Sequence, residues 1–164
     1  MLLSKLGQES AESVKTVYQL VRHVTGSAFY LSIADEYSSV NGMPFIRVAD
    51  LGEFFVRSES FIRIPQETVE ELRQIATVRE NDIVVAKGGS IGGISLIQPG
   101  LGICALSRDV IAIHTDPTKI DSSYFVAFLL SRVGQLQLDR YKSQQVQAHL
   151  TFPAIGNIKV IVPS

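Results

Sequence analysis

Short apolar runs, broken by turn residues, recur along most of the chain. They predict strands at Pro44–Leu51, Phe61–Ile64, Asp82–Lys87, Ile94–Ile97, Gly102–Leu106, Val110–His114 and Ile158–Pro163. Three segments read as helical. Val14, Val17, Leu20, Val21 and Val24 recur at helical spacing over Ser10–Val24, with Ser10 or Ser13 as the cap. Their β-branched side chains keep a strand open as the alternative. Pro65 opens a second helix running to about Ala76, with Glu67, Glu70 and Glu71 near its positive end. The longest helix is expected from about Ser123 to Tyr141, capped by Asp121 or Ser122 and weakened by Gly134, which costs about 1 kcal/mol relative to Ala. Between these lie a polar and aromatic loop, Gly26–Gly42, a tight glycine turn, Gly88–Gly93, and a polar stretch, Lys142–His149. Helices and strands intersperse without a regular βαβ repeat, which predicts a mixed α/β (α+β) domain. Phe45, Ile46, Val48, Ile83, Val85, Val110, Ile113, Phe125, Phe128, Leu129 and Val160 are the expected core.

Composition narrows the class. A chain of 164 residues suits a single domain spanning 1–164. With 46% hydrophobic and 19% charged residues, a packed core is expected and disorder is not. The net charge of −1 excludes a polybasic binder but not a local basic face. The charge is in fact uneven: residues 1–82 carry 8 basic and 12 acidic side chains, residues 83–164 carry 7 and 4. Cys104 is the single cysteine, so neither an internal disulfide nor a cysteine-based zinc site is expected. It lies in an apolar run and reads as a buried, inert thiol. No apolar run reaches the ~18 residues of a transmembrane helix, and Met1–Leu6 lacks the apolar stretch of a signal peptide, so a cytoplasmic protein is expected.

Catalytic patterns fail on spacing. The Gly88–Gly93 turn ends in Ile94-Ser95, where a P-loop needs Lys then Ser or Thr, and it lacks the Gly-x-Gly-x-x-Gly of a dinucleotide site. Gly88-Gly89-Ser90-Ile91-Gly92 fits the letters of a nucleophile elbow, but a strand follows where the elbow needs a helix. A serine hydrolase at Ser90 is therefore a weak reading. His23, His114 and His149 form no metal-ligand pair in sequence, and His114 reads as a satisfied residue at a strand end. Asp82 and Lys87 lack the intervening acid of a nuclease, since Val85 stands there, and no Pro-Pro of an adenine methyltransferase occurs. Neither catalysis, cofactor nor metal is expected of the chain alone.

The order of the segments is more informative. Gly42-Met43-Pro44-Phe45-Ile46-Arg47-Val48-Ala49-Asp50-Leu51 precedes Glu80-Asn81-Asp82-Ile83-Val84-Val85-Ala86-Lys87-Gly88-Gly89-Ser90-Ile91-Gly92. Leu106–Ile113, Tyr124–Ser131, a Gln-rich turn and Ile158–Pro163 follow. From about Leu6 to Pro163 this resembles one target recognition domain of the specificity subunit of type I restriction-modification enzymes. Asn81 stands where that family usually has Gly, and Gly93 where Lys is common. A whole specificity subunit has two such domains joined by long helices; this chain carries one. The resemblance implies a mixed α/β domain that reads one half of a split site in double-stranded DNA. It also implies work with a DNA methyltransferase (modification) subunit and, in the full enzyme, a restriction subunit. A homodimer would rebuild the two-half reader.

A DNA reader needs phosphate contacts for position and base-edge contacts for sequence. Arg140 and Lys142 are candidates for the first, though both also suit a helix C-terminus. Gln144, Gln145, Gln147 and His149 are candidates for the second, since Gln can pair with adenine N6 and N7, though a plain polar loop has the same composition. Lys87 and Ser90 flank the glycine turn, whose bare N–H groups suit a phosphate. Tyr30, Tyr37 and Asn41 give the 30–41 loop the means to touch base or sugar. The rival from another class is a regulatory or protein-interaction domain on the same fold, without DNA contacts.

Overall fold

The computed structural model describes residues 14–27, 41–71, 74–88, 93–142 and 149–163. Its centre is a four-stranded antiparallel sheet in the order β2 (Val21–Gly26), β9 (Val110–Thr115), β6 (Ile83–Ala86), β7 (Ile94–Leu96). A second sheet packs on one face of it, in the order β4 (Ile62–Ile64), β3 (Met43–Ile46), β8 (Cys104–Leu106), β5 (Thr77–Val78), with β3 and β8 parallel. Helices cover the other face: α1 (Val17–Leu20), α3 (Ser122–Leu130), α4 (Arg132–Lys142) and α5 (Phe152–Gly156). A short α2 (Gln66–Glu71) follows β4, and β1 (Val14–Thr16) pairs with β10 (Lys159–Ile161).

This layering explains why β6 reads as an unbroken apolar run: both its faces are buried. Ile83 and Val85, with Ile111 and Ile113, meet Phe125, Leu129, Leu138 and Ile155 of the helices. Val84 and Ala86, with Val110 and Ala112, meet Ile46, Val78 and Leu106 of the second sheet. Of the eleven expected core residues, Val48 and Phe128 are only half-buried at the edges of these clusters, and the other nine are buried. Cys104 is buried, and that burial pushes its thiol up to about 11, so it stays protonated and inert.

Two expectations about helices change. Over 14–26 the helix is confined to one turn between two strands, because Val14–Thr16 pairs with β10 and Val21–Gly26 with β9. The single helix over 123–141 is two. Ser131 turns to extended backbone, its hydroxyl donates to the Phe128 carbonyl at 2.6 Å, and it receives the Gly134 N–H at 3.3 Å. At Gly134 a side chain would strike the carbonyls of Phe128 and Leu129, so α4 folds back on the end of α3 only because Cβ is missing. The helix expected over 65–76 forms at Gln66–Glu71 but does not reach Ala76: residues 74–76 are not helical, and the Ala76 amide donates to the Ser27 hydroxyl instead. α5 is an element that the hydrophobic pattern did not predict, although Thr151-Phe152-Pro153 carries its cap and first-turn proline.

Candidate nucleic-acid interface

The open end of the central sheet gathers several of the candidate residues. β2 ends at Gly26, β6 ends at Ala86 and β9 begins at Val110, and the registers Gly26↔Ile111 and Ala86↔Val110 put all three side by side. The chain leaves this end at Ser27 and Gly88 and returns to it at Gly93, whose carbonyl accepts from the Ala86 amide at 2.9 Å. His149 returns to the same place. The Leu150 amide donates to the Lys87 carbonyl at 2.9 Å, and the Lys87 amide donates to Asp109 in the β8–β9 turn at 2.7 Å. The His149 ring lies against Gly88, where a Cβ would stand 2.7 Å from Nδ1. The Lys87 ammonium sits 6.0 Å from the centroid of the Phe152 ring, at the outer limit of a cation–π contact. Phe152 in turn packs on Gly26 and keeps 38% of its surface exposed. Lys87, His149 and Phe152 thus form one exposed or half-exposed cluster of a cation, an imidazole and a ring.

Sequence reasoning named Lys87 and His149 for separate reasons, and the fold joins them. It missed Phe152, for which the Thr-x-Pro helix start was the available signal. Arg140 lies elsewhere, in a shallow cleft with Gln137, Tyr141, Asn157 and Lys159. Lys142 ends α4. Asn41 lies beside Arg63, Gln66 and Glu67, where the Arg63 guanidinium donates to the Gly42 carbonyl at 2.8 Å. That is the start of β3, whose far end at Ile46 receives Ser107 of the β8–β9 turn. Asn41 therefore lies beyond the end of β3 that is farther from the open end, with about 10 Å of strand between. Ser90, Gln144, Gln145, Gln147, Tyr30 and Tyr37 lie outside the described residues.

The stretches that carried the resemblance divide into structural and exposed parts. In Ile46-Arg47-Val48-Ala49-Asp50, the buried Asp50 accepts from the Arg47 amide at 2.8 Å, from its Nε and Nη2 at 3.0 Å each, and from Ser60 Oγ at 2.7 Å. This bidentate pair ties the loop from 47 to 60 together; it is a structural clamp. Asn81 takes φ +70°, the left-handed conformation that Gly adopts most readily and Asn tolerates, so its departure from the family pattern preserves the turn. The residues after the glycine turn form β7, which pairs antiparallel with β6. A nucleophile elbow needs a helix there, so the hydrolase reading lacks its scaffold. His114, read as satisfied, is so: its Nδ1 lies 3.0 Å from Asp82 and its Nε2 2.8 Å from Thr25 Oγ1. Among the described residues no cluster of His, Cys, Asp and Glu suits a metal, and no helix is long and apolar enough to cross a membrane.

Known proteins share this architecture. A chain of a type I R-M system superimposes with TM-score 0.59 at 15% identity, over 92% of this chain and 34% of that one. The HsdS subunit from Thermoanaerobacter tengcongensis gives 0.58 at 16%, over 92% and 32%. The type I restriction-modification S subunit from M. genitalium gives 0.58 at 17%, over 96% and 37%. At these identities the likeness is one of fold, and this chain spans about a third of the chains that it matches. A search of curated proteins gives no significant match. The family model for the type I restriction modification DNA specificity domain matches residues 15–164, and with nearly its whole length covered the chain belongs to that family.

Proposed function

We propose that this domain reads one half of a split duplex DNA site and presents the open end of its central sheet to the DNA. The observation that carries the reading is the convergence there of Lys87, His149 and Phe152 with Ser27, where 28–40 begins, Gly88 and Gly93, which flank 89–92, and the residue that follows 143–148, His149 itself. Those segments hold Tyr30, Tyr37, Ser90, Gln144, Gln145 and Gln147. A rigid sheet at whose end polar segments leave or rejoin the chain is a suitable platform for sequence readout. The domain performs no covalent step itself and directs a methyltransferase subunit, with a restriction subunit in the complete enzyme.

One domain with few basic residues binds duplex weakly, near the non-specific range of about 10⁻⁴ to 10⁻⁶ M. Pairing with a second recognition domain, in another chain or a second copy, and with the methyltransferase raises affinity by linkage. The test is a reconstituted complex titrated with cognate and scrambled duplexes over a salt series. Gln145→Ala or Gln147→Ala should lose about 1–3 kcal/mol on the cognate duplex alone. Lys87→Ala should weaken both duplexes and flatten the salt slope, as should Arg140→Ala and Lys142→Ala if the interface extends along α4. Unchanged affinities in all five variants would overturn the interface.

A further inference from the structure

A second concave site lies along the opposite face of β2. The cleft, about 450 Å³, runs between β2 and β5, the outer strands of the two sheets. Arg22, His23, Thr25, Arg79, Asp82 and His114 supply its polar wall, and Ile75 and Ile103 its apolar side. We propose that this cleft holds a phosphate group, with Arg22, Arg79 and His23 as its ligands.

Charge and geometry carry the inference. Both guanidiniums are exposed, and neither forms an ion pair with a described carboxylate. Asp82, the acid lining the cleft, is buried and engaged: it accepts from the Arg79 amide at 3.2 Å and faces His114 Nδ1 at 3.0 Å. With Nδ1–H donated to Asp82, His114 Nε2 accepts the Thr25 hydroxyl at 2.8 Å, so one tautomer satisfies both bonds. That relay holds the His114 ring still, and the His23 ring stacks on it at 4.2 Å. The cleft therefore combines two cations that form no salt bridge among the described residues, a positioned imidazole and a volume that suits a small ligand.

The stack adds a proton linkage. Partial desolvation of the stacked ring, then His114, hold His23 below the ordinary histidine range, against the opposing pull of Asp82; Arg22 adds to the lowering. Beyond these groups and Arg79, Asp116 feels the charge of Arg22. A bound anion favours the imidazolium, so binding takes up a proton and tightens as the pH falls.

Titration of the domain with inorganic phosphate, a deoxynucleoside 5′-monophosphate and a short non-cognate duplex, followed by amide and imidazole NMR shifts, tests the site. Phosphate should shift His23, His114 and Arg79. Arg22→Gln with Arg79→Gln should weaken binding at least about tenfold, since two charge-assisted contacts are lost. Sulfate, which does not titrate here, should bind roughly threefold or more tightly at about pH 5.5 than at about pH 8, and His23→Gln should flatten that dependence. Displacement of phosphate by the duplex identifies the source as a DNA backbone; displacement by the mononucleotide alone identifies a free nucleotide. Absence of shifts at millimolar phosphate, or binding unchanged in the double Arg variant, overturns the proposal. Duplex binding that perturbs Lys87 and His149, with neither phosphate, mononucleotide nor duplex shifting the cleft, overturns it while leaving the DNA-recognition reading intact.

Discussion

The two ends of the central sheet are built differently. At one end the strands are tied together by side chains. Thr115 Oγ1 donates to the Asn81 carbonyl at 2.7 Å, Ser122 Oγ donates to Thr115 at 3.0 Å, and Asp82, His114 and Thr25 form their relay beside them. The backbone of Asn81 and Asp82 also exchanges bonds with Ile97 at 2.9 Å each. At the other end the ties are mostly backbone bonds that anchor departing segments: Ala86 to Gly93, Lys87 to Asp109 and Leu150 to Lys87. Side chains add to these at Ser27, which donates to the Leu106 carbonyl and accepts from the Ala76 amide, and in the Arg108–Asp109 pair at 3.5 Å. One end fixes the sheet. The other leaves its side chains available, which is what a recognition surface requires of a stable scaffold.

Both ends share one core, so the largest effect should come from its centre. Leu129→Ala is expected to lose about 2–5 kcal/mol of stability by denaturant unfolding, with amide protection falling at both ends together. A loss confined to one end would mean that the ends are separate bodies. At the tied end, Asp82→Ala removes a buried acceptor from the Arg79 amide and the His114 ring and should cost about 1–3 kcal/mol. Amide shifts at Lys87 and Leu150 should not move. At the open end, Gly88→Val pushes a side chain into the exposed His149 ring, which can swing away. Its stability cost should stay below about 1 kcal/mol, while duplex affinity in the reconstituted complex falls. The reverse pattern, a large stability loss with full affinity, would erase the contrast.

The smallest effect is the pH response of the tied end. Since His23 is held below the ordinary histidine range, protonation favours the unfolded chain. Its contribution to stability is intact above about pH 6.5 and is lost as the pH falls from there through the folded value. His23 is exposed, so the slope should be shallow; His23→Gln should reduce it, as read from thermal midpoints across the range.

Much of the fold was legible because it depends on local pattern. The apolar runs in Asp82–Lys87 and Val110–His114 identified strands, and the lone apolar-flanked Cys104 a buried thiol. Arg47 and Asp50 stand in the stretch that carried the resemblance, but only the tertiary structure showed them to be a clamp. Lys87 and His149 were named singly, from glycine-turn and Gln-loop chemistry.

What the tertiary structure alone decided concerns partners far apart in the chain. Val14–Gly26 has helical periodicity, yet strand partners around residues 111–115 and 159–161 claim most of its backbone. The periodicity over 123–141 continues through Ser131, but the serine hydroxyl and the missing Cβ at Gly134 let the helix fold back onto its own end. His23 and His114 stack only because β2 and β9 pair in that register, which two histidines 91 positions apart cannot announce. Local composition sets which residues leave water. Register and chain reversal set which of them meet, and those depend on pairing energies summed over the whole sheet.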